Sequence, residues 1–250
     1  MKEWSIAGAK IQGLQHKNNK ISCQDAFTII EKDYFICSAV ADGAGTSRYA
    51  EIASEIIVNK TAKILEEEFD NFFKINNNIV KEKIIHRLRT IIGIEAKKKK
   101  ASQEDFNSTL LFVAIKNDNY IVGHIGDGAL GAIVGNDLIT ISKPLNGEYK
   151  NQTYFITSKR YKEHFRIYKG KIKNISGFIL ATDGTTDSLY NYQTNKFADV
   201  GVKIIKWLDE NSIEKVNYAI MENLRNVVSK KTKDDCTLVI MRRIKYDFNL

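Results

Sequence analysis

Three apolar runs of this 250-residue chain end in the same dipeptide. Residues 34–41 run into Asp42-Gly43, 120–126 into Asp127-Gly128, and 178–182 into Asp183-Gly184. A further acidic pair, Asp234-Asp235, opens the run 236–241, and Asp25 stands at the mouth of 26–30. Carboxylates at the ends of strand-like segments can gather hard oxygen ligands for Mg²⁺ or Mn²⁺ at one rim of a sheet. Asp-Gly is also a hairpin-turn signal, because Gly accepts positive φ and Asp tolerates it. Each dipeptide alone reads as a turn. The ordered set Ala-Asp-Gly-Ala-Gly, Gly-Asp-Gly, Ala-Thr-Asp-Gly and Asp-Asp-Cys-Thr is far more specific than any of its members.

The elements that would position these acids follow from the apolar periodicity. Residues 4–12 read as a strand and 14–23 as a polar loop. Residues 26–30 and 34–40 form a hairpin, then a helix covers 49–68, capped by Thr46 or Ser47. A second helix covers 79–98. Hairpins follow at 108–115 with 120–125 and at 129–134 with 138–142. The only proline, Pro144, opens an irregular segment. Strands are expected at 154–157, 165–168 and 178–181, helices at 200–209 and 213–229, and a closing strand at 238–241. Antiparallel hairpins with helices grouped in pairs predict an α+β fold of two packed, mostly antiparallel sheets flanked by helix pairs, an α-β-β-α sandwich. No repeat, linker or low-complexity tract interrupts it, so one domain over residues 1–250 is expected.

Composition narrows the function classes. Hydrophobic residues make up 43% of the chain, enough for a sizeable core. No apolar run reaches the roughly 20 residues that span a bilayer. The first fifteen residues lack a signal peptide's pattern, so a cytoplasmic protein is the default expectation. Three cysteines (Cys23, Cys37 and Cys236) without CxxC spacing argue against a disulfide framework and a thiolate zinc site. The net charge of +8 is dispersed. Its densest cluster, 97–100, reads as a solvated helix end, so neither nucleic acid nor membrane is expected as a partner.

The order of motifs resembles the metal-dependent serine/threonine phosphatases of the 2C type, the PPM family, over residues 5–242. The bacterial branch is indicated by Pro144-Leu145-Asn146-Gly147-Glu148-Tyr149-Lys150-Asn151. The resemblance implies a β-sandwich flanked by helices and a hydrolase acting in signalling. Its substrate would be phosphoserine or phosphothreonine in proteins, including targets of a serine/threonine kinase, attacked by a metal-bridging hydroxide. It implies two Mn²⁺ or Mg²⁺ ions, with a third site open. By motif, Asp25 would hold metal-bound waters, Asp42 would bridge two metals and the Gly43 carbonyl would ligate the second. Asp183 and Asp234 would ligate the first metal, and Asp127 would help bind a third. Asp25, Asp42 and Asp183 would be the catalytic acids. The physics agrees: paired cations acidify a water and neutralise a phosphate monoester's charge, and hard ions take carboxylates and carbonyls.

Three positions depart from the pattern. Ala44 stands where many members carry a histidine proposed as general acid, which leaves that role unassigned. Lys20 stands where many carry a phosphate-binding arginine; lysine binds phosphate as a point charge without the bidentate fork. Gln24 replaces an acid and can still orient a water. The departures motivate the alternative of a catalytically weak or inactive pseudophosphatase that binds phosphoproteins. Arg48 could reach a phosphate or form an ion pair at a helix start. Asp187 reads as a helix-capping acid, and Asp235 points away from the expected ligand face.

Overall fold

The structure, a computed structural model, describes residues 3–145 and 153–244. Strand β1 (Trp4–Ile11) is followed by helix α1 (Leu14–Asn18) and the hairpin β2 (Asp25–Lys32) and β3 (Phe35–Asp42). Two long helices come next, α2 (Ala50–Lys74) and α3 (Asn77–Lys99). Strands β4 (Leu110–Lys116), β5 (Asn119–Ile125), β6 (Ala129–Val134) and β7 (Asp137–Ser142) then run as successive antiparallel segments. After the short helix α4 (Tyr161–His164) come β8 (Arg166–Lys171), β9 (Ile175–Ala181) and α5 (Asp183–Leu189). The small hairpin β10 (Tyr190–Asn191) and β11 (Lys196–Phe197), helices α6 (Val200–Glu210) and α7 (Ile213–Asn226), and strand β12 (Cys236–Arg243) complete the order.

One five-stranded sheet has the order β1-β12-β9-β6-β7, the other β2-β3-β4-β5-β8. The pairings in both are antiparallel. Period-two alternation sorts the side chains into layers. In β4, Leu111, Val113 and Ile115 enter the core between the sheets, while Leu110, Phe112 and Ala114 face the layer of α2 and α3. In β12, Val239 and Met241 face the inner core, while Leu238 and Ile240 meet the cluster with α6 and α7. Trp4 on β1 stacks on Phe178 of β9 in the inner layer, ring centroids 6.0 Å apart. The expected α-β-β-α sandwich is therefore the fold observed.

Several local expectations are corrected. Residues 14–18 form a helix despite their polar composition. The Gln15 N–H donates to the Lys233 carbonyl at 2.9 Å, a tertiary tether that outweighs weak local preference. Residues 154–157 form no strand: 156–157 lie in a turn, where buried Ile156 donates its N–H to the Ser108 carbonyl at 3.1 Å instead of a strand ladder. Ser47 does not cap α2. Its hydroxyl donates to the Glu104 carbonyl, and Tyr49 occupies the cap position. Lys97, Lys98 and Lys99 do form the last turn of α3, where cations oppose the negative end of the dipole.

Candidate metal centre

None of the three Asp-Gly pairs is a hairpin turn. The tight turns of β2–β3, β4–β5 and β6–β7 fall at 33–34, 117–118 and 135–136 instead. Asp42-Gly43 leads from the end of β3 toward α2, Asp127-Gly128 carries the chain from one sheet to the other, and Asp183-Gly184 opens α5. Asp25 and Asp42 are direct register partners at the end of the β2–β3 ladder. The sequence thus delivers its acids to one rim of the sandwich.

Two glycines fix the approach of the segments. A Cβ on Gly43 would stand 2.3 Å from the Ala50 carbonyl oxygen, so the start of α2 could not cross the metal loop. A Cβ on Gly184 would stand 2.1 Å from the Asp235 carbonyl oxygen, where α5 packs on the entry to β12. Thr109 locks Asp42 from the neighbouring strand: the Asp42 N–H donates to Thr109 Oγ1 and the Thr109 N–H donates to the Asp42 carbonyl, both at 2.9 Å.

Carboxylate oxygens of Asp42, Asp127 and Asp183 lie within 4.8 Å of one another, and all three residues are half-buried. Asp25 is buried beside them. Its Oδ2 accepts from the hydroxyls of Thr182 at 2.8 Å and Thr237 at 2.7 Å, and Thr182 Oγ1 in turn accepts the Thr237 N–H at 2.9 Å. Asp25 Oδ1 is buried without a partner, as is Asp127 Oδ1. The other oxygen of Asp127 accepts from the Thr153 hydroxyl. Gln24 Oε1 is a third buried oxygen without a partner.

The electrostatics have one sign. Burial, aided by Asp235 and Asp234 and opposed by the two threonine hydroxyls, pushes the Asp25 carboxyl up to about 7. Burial, with Asp183, Asp25 and Asp127 beside it, holds Asp42 well above the usual carboxylate range. Asp183 is raised by burial and by Asp127 and Asp234, and Asp127 is raised by burial and by Asp234. Clustered carboxylates with unpaired buried oxygens fit a divalent cation, which supplies the missing positive charge and the missing partners. The donor set is all oxygen and suits Mg²⁺ or Mn²⁺ over zinc.

Asp234 stands slightly apart. It is exposed and groups with His16 and Asp235, ligand atoms within 4.8 Å, and not with the triplet above. Its charge nevertheless raises Asp25, Asp42, Asp127 and Asp183. Asp235 is buried and anchors the opposite loop. Its Oδ1 accepts the Gly13 N–H at 2.6 Å, its Oδ2 accepts the Gln24 N–H at 2.5 Å, and His16 Nδ1 lies 2.9 Å from Oδ2. Lys20, in a left-handed backbone conformation (φ 55°), lines a cleft of about 340 Å³ with Arg48 and Gln24. Arg48 rests over the Tyr49 ring, 5.2 Å from its centroid. Asp187 does not cap α5; it sits inside the helix, with burial and Asp234 raising its carboxyl. Of the 144–151 motif, Leu145 donates its N–H to the Gly126 carbonyl at 3.1 Å, and 146–151 lie outside the described residues.

Thr109, Thr153, Thr182 and Thr237 are the residues that sequence reasoning gave no role. Thr182 and Thr237 were signalled by their places beside the acids in Ala-Thr-Asp-Gly and Asp-Asp-Cys-Thr, and Thr109 by the Ser108-Thr109 pair, which matches the resembled family's pattern; nothing pointed to Thr153.

The family model for protein phosphatase 2C matches residues 12–228. The chain belongs to the protein phosphatase 2C family. Serine/threonine-protein phosphatase 3 of Escherichia coli (strain K12) is 26% identical over 161 residues, 62% of this chain and 64% of that one. This chain therefore matches somewhat under two thirds of that relative's length. Solved structures share the fold. The S. agalactiae serine/threonine phosphatase aligns with TM-score 0.67 at 18% identity, covering 97% of this chain and 100% of that one. The catalytic domain of PstP, in complex with 2 manganese ions, aligns with TM-score 0.65 at 13% identity, covering 97% and 99%.

Proposed function

We propose that this 2C-family protein hydrolyses phosphoserine and phosphothreonine in proteins, with residues 1–250 acting as one phosphatase domain. In this reading Asp25, Asp42, Asp127, Asp183 and Asp234, with the Gly43 carbonyl, hold the divalent ions. The observation that carries it is the convergence of Asp42, Asp127 and Asp183 within 4.8 Å beside the free buried oxygen of Asp25. Bound divalent ions supply a water acidic enough to attack phosphorus near neutral pH and positive charge for the phosphoryl oxygens. The chain's own residues do the remaining work. Thr182 and Thr237 occupy one oxygen of Asp25 and leave the other without a protein partner. Thr153 does the same for Asp127. Lys20, with Arg48 across its cleft, gives the substrate phosphate a cationic contact at the rim.

No histidine supplies the leaving-group proton from the position of Ala44, and the described histidines near the centre are engaged elsewhere. His16 faces Asp235 and His124 lies 2.8 Å from Ser142 Oγ. The substrates this reading implies are proteins phosphorylated by a serine/threonine kinase in the cytoplasm. No described helix is long and apolar enough to cross a membrane. The test is hydrolysis of p-nitrophenyl phosphate and a phosphothreonine peptide with Mn²⁺, with Mg²⁺ and with EDTA. Metal-dependent turnover of both is expected. Thermal stabilisation by Mn²⁺ with no turnover would replace the phosphatase with a phosphoprotein-binding pseudophosphatase.

A further inference from the structure

A second feature lies beside the candidate metal centre. A groove of about 800 Å³ runs between the end of β1, α1 and the segment that follows α7. Its walls carry Lys10, Lys17, Arg225, Lys230, Lys231 and Lys233, and no described aspartate or glutamate lines it. Two of these cations are engaged, Lys10 with Glu55 at 3.1 Å and Arg225 with Glu222 at 2.8 Å. The other four are exposed, and among the described residues no ion pair holds them. The floor is apolar, formed by Ile11, Met221 and Leu14, the last 51% exposed.

Like charges gathered on an exposed face repel one another and are relieved by an anionic partner. The groove is also joined to the acids of the centre. Lys233 precedes Asp234 directly. The Gln15 N–H donates to the Lys233 carbonyl at 2.9 Å, and His16 meets Asp235 at 2.9 Å, so both walls are pinned to the entry of β12. Lys10, on the groove wall, also donates from Nζ to the Asp25 carbonyl at 2.8 Å, so the groove adjoins the strand that carries Asp25. No described aromatic side chain lines it, so the described walls offer no stacking platform for nucleic-acid bases.

We propose that this groove docks an acidic segment flanking the phosphoresidue of a protein substrate. The inference rests on the phosphatase reading and names its substrate class: phosphoproteins with aspartate- or glutamate-rich sequence beside the modified residue. Substrate capture then depends on the four free lysines, and preference for acidic flanks fades as salt screens them.

The experiment compares phosphothreonine peptides that carry an aspartate run or a lysine run on one side. It uses the full chain with Mn²⁺, at low and at high salt, for wild type and for the double variant Lys230→Glu/Lys231→Glu. Expected is a kcat/KM about tenfold higher for the acidic-flank peptide at low salt. That preference disappears at high salt and in the variant, whose p-nitrophenyl phosphate turnover and melting temperature stay at wild-type values. No preference in wild type, or a preference the variant retains, overturns the proposal. So does displacement of a fluorescent acidic peptide by a single-stranded oligonucleotide at lower concentration than by the same peptide unlabelled. If wild type fails to turn over p-nitrophenyl phosphate, the phosphatase reading fails on its own. Polarisation of the acidic-flank peptide, with and without the double substitution, then decides the groove.

Discussion

At the residue scale the candidate centre gathers acids of one sign and hydroxyls that bond to them. Asp183→Asn removes one charge from the triplet. Turnover with Mn²⁺ should fall on the order of a hundredfold or more. The metal-free variant should melt at a higher temperature than wild type, because Asp183 is among the charges that raise Asp42. Calorimetry without metal and a p-nitrophenyl phosphate assay with metal check the two halves separately. Thr237→Val deprives Asp25 Oδ2 of one of its two hydroxyl donors. A stability loss of about 1–3 kcal/mol is expected, together with weaker Mn²⁺ binding, and Thr237→Ser should restore both. Urea unfolding and calorimetric titration with Mn²⁺ measure them. The clustering of Asp42, Asp127 and Asp183 was legible in the sequence because Asp-Gly recurred at the ends of apolar runs. The threonines were not, since a hydroxyl gains its role only when β2, β9 and β12 bring Asp25, Thr182 and Thr237 together.

At the element scale, strands were easier to find than the short helices and turns. Alternation of apolar residues exposed β3, β4, β5 and β6, because each strand has a face on a hydrophobic layer. Helix α1 was invisible because its cause is a tether from Lys233, more than two hundred residues away in sequence. The segment at 154–157 misled for the opposite reason, since Ile156 is buried as a strand residue would be while its backbone turns. Gly184 shows how closely the elements around the centre approach. Gly184→Ala sets a Cβ 2.1 Å from the Asp235 carbonyl oxygen. The backbone of α5 or of the β12 entry must move, at a cost of about 1–3 kcal/mol. The urea midpoint and the Mn²⁺ affinity should both fall. Gly45→Ala, whose added carbon finds its nearest atom at 3.7 Å, is the control that should leave them unchanged.

At the scale of the whole molecule, the buried acids make stability depend on pH in an unusual direction. The Asp25 carboxyl moves from 3.8 to about 7, and Asp42, Asp127 and Asp183 are raised as well. Between those values the folded chain binds more protons than the unfolded chain, so metal-free stability falls as pH rises through this window. The melting temperature without metal should therefore drop between about pH 5 and about pH 8. Mn²⁺, which replaces those protons, should raise it more at the upper pH than at the lower. A melting temperature without metal that climbs across this range would refute the account.

The place of β12 has a consequence for how the molecule is made. It lies inside its sheet, between β1 and β9, and pairs with β1 from Trp4↔Arg243 to Ile11↔Cys236. A chain emerging from the ribosome exposes β1 early and must leave it unpaired along that edge until β12 follows. Contacts so distant in sequence are slow to form. Thr237, which holds Asp25, and Asp234, a proposed ligand, travel with the same segment, so the gap in the sheet and the gap in the proposed centre would close together. On the proposed reading, a nascent chain carrying every earlier acid motif would still lack Asp234 and Thr237, and would stay catalytically silent until the sheet is sealed.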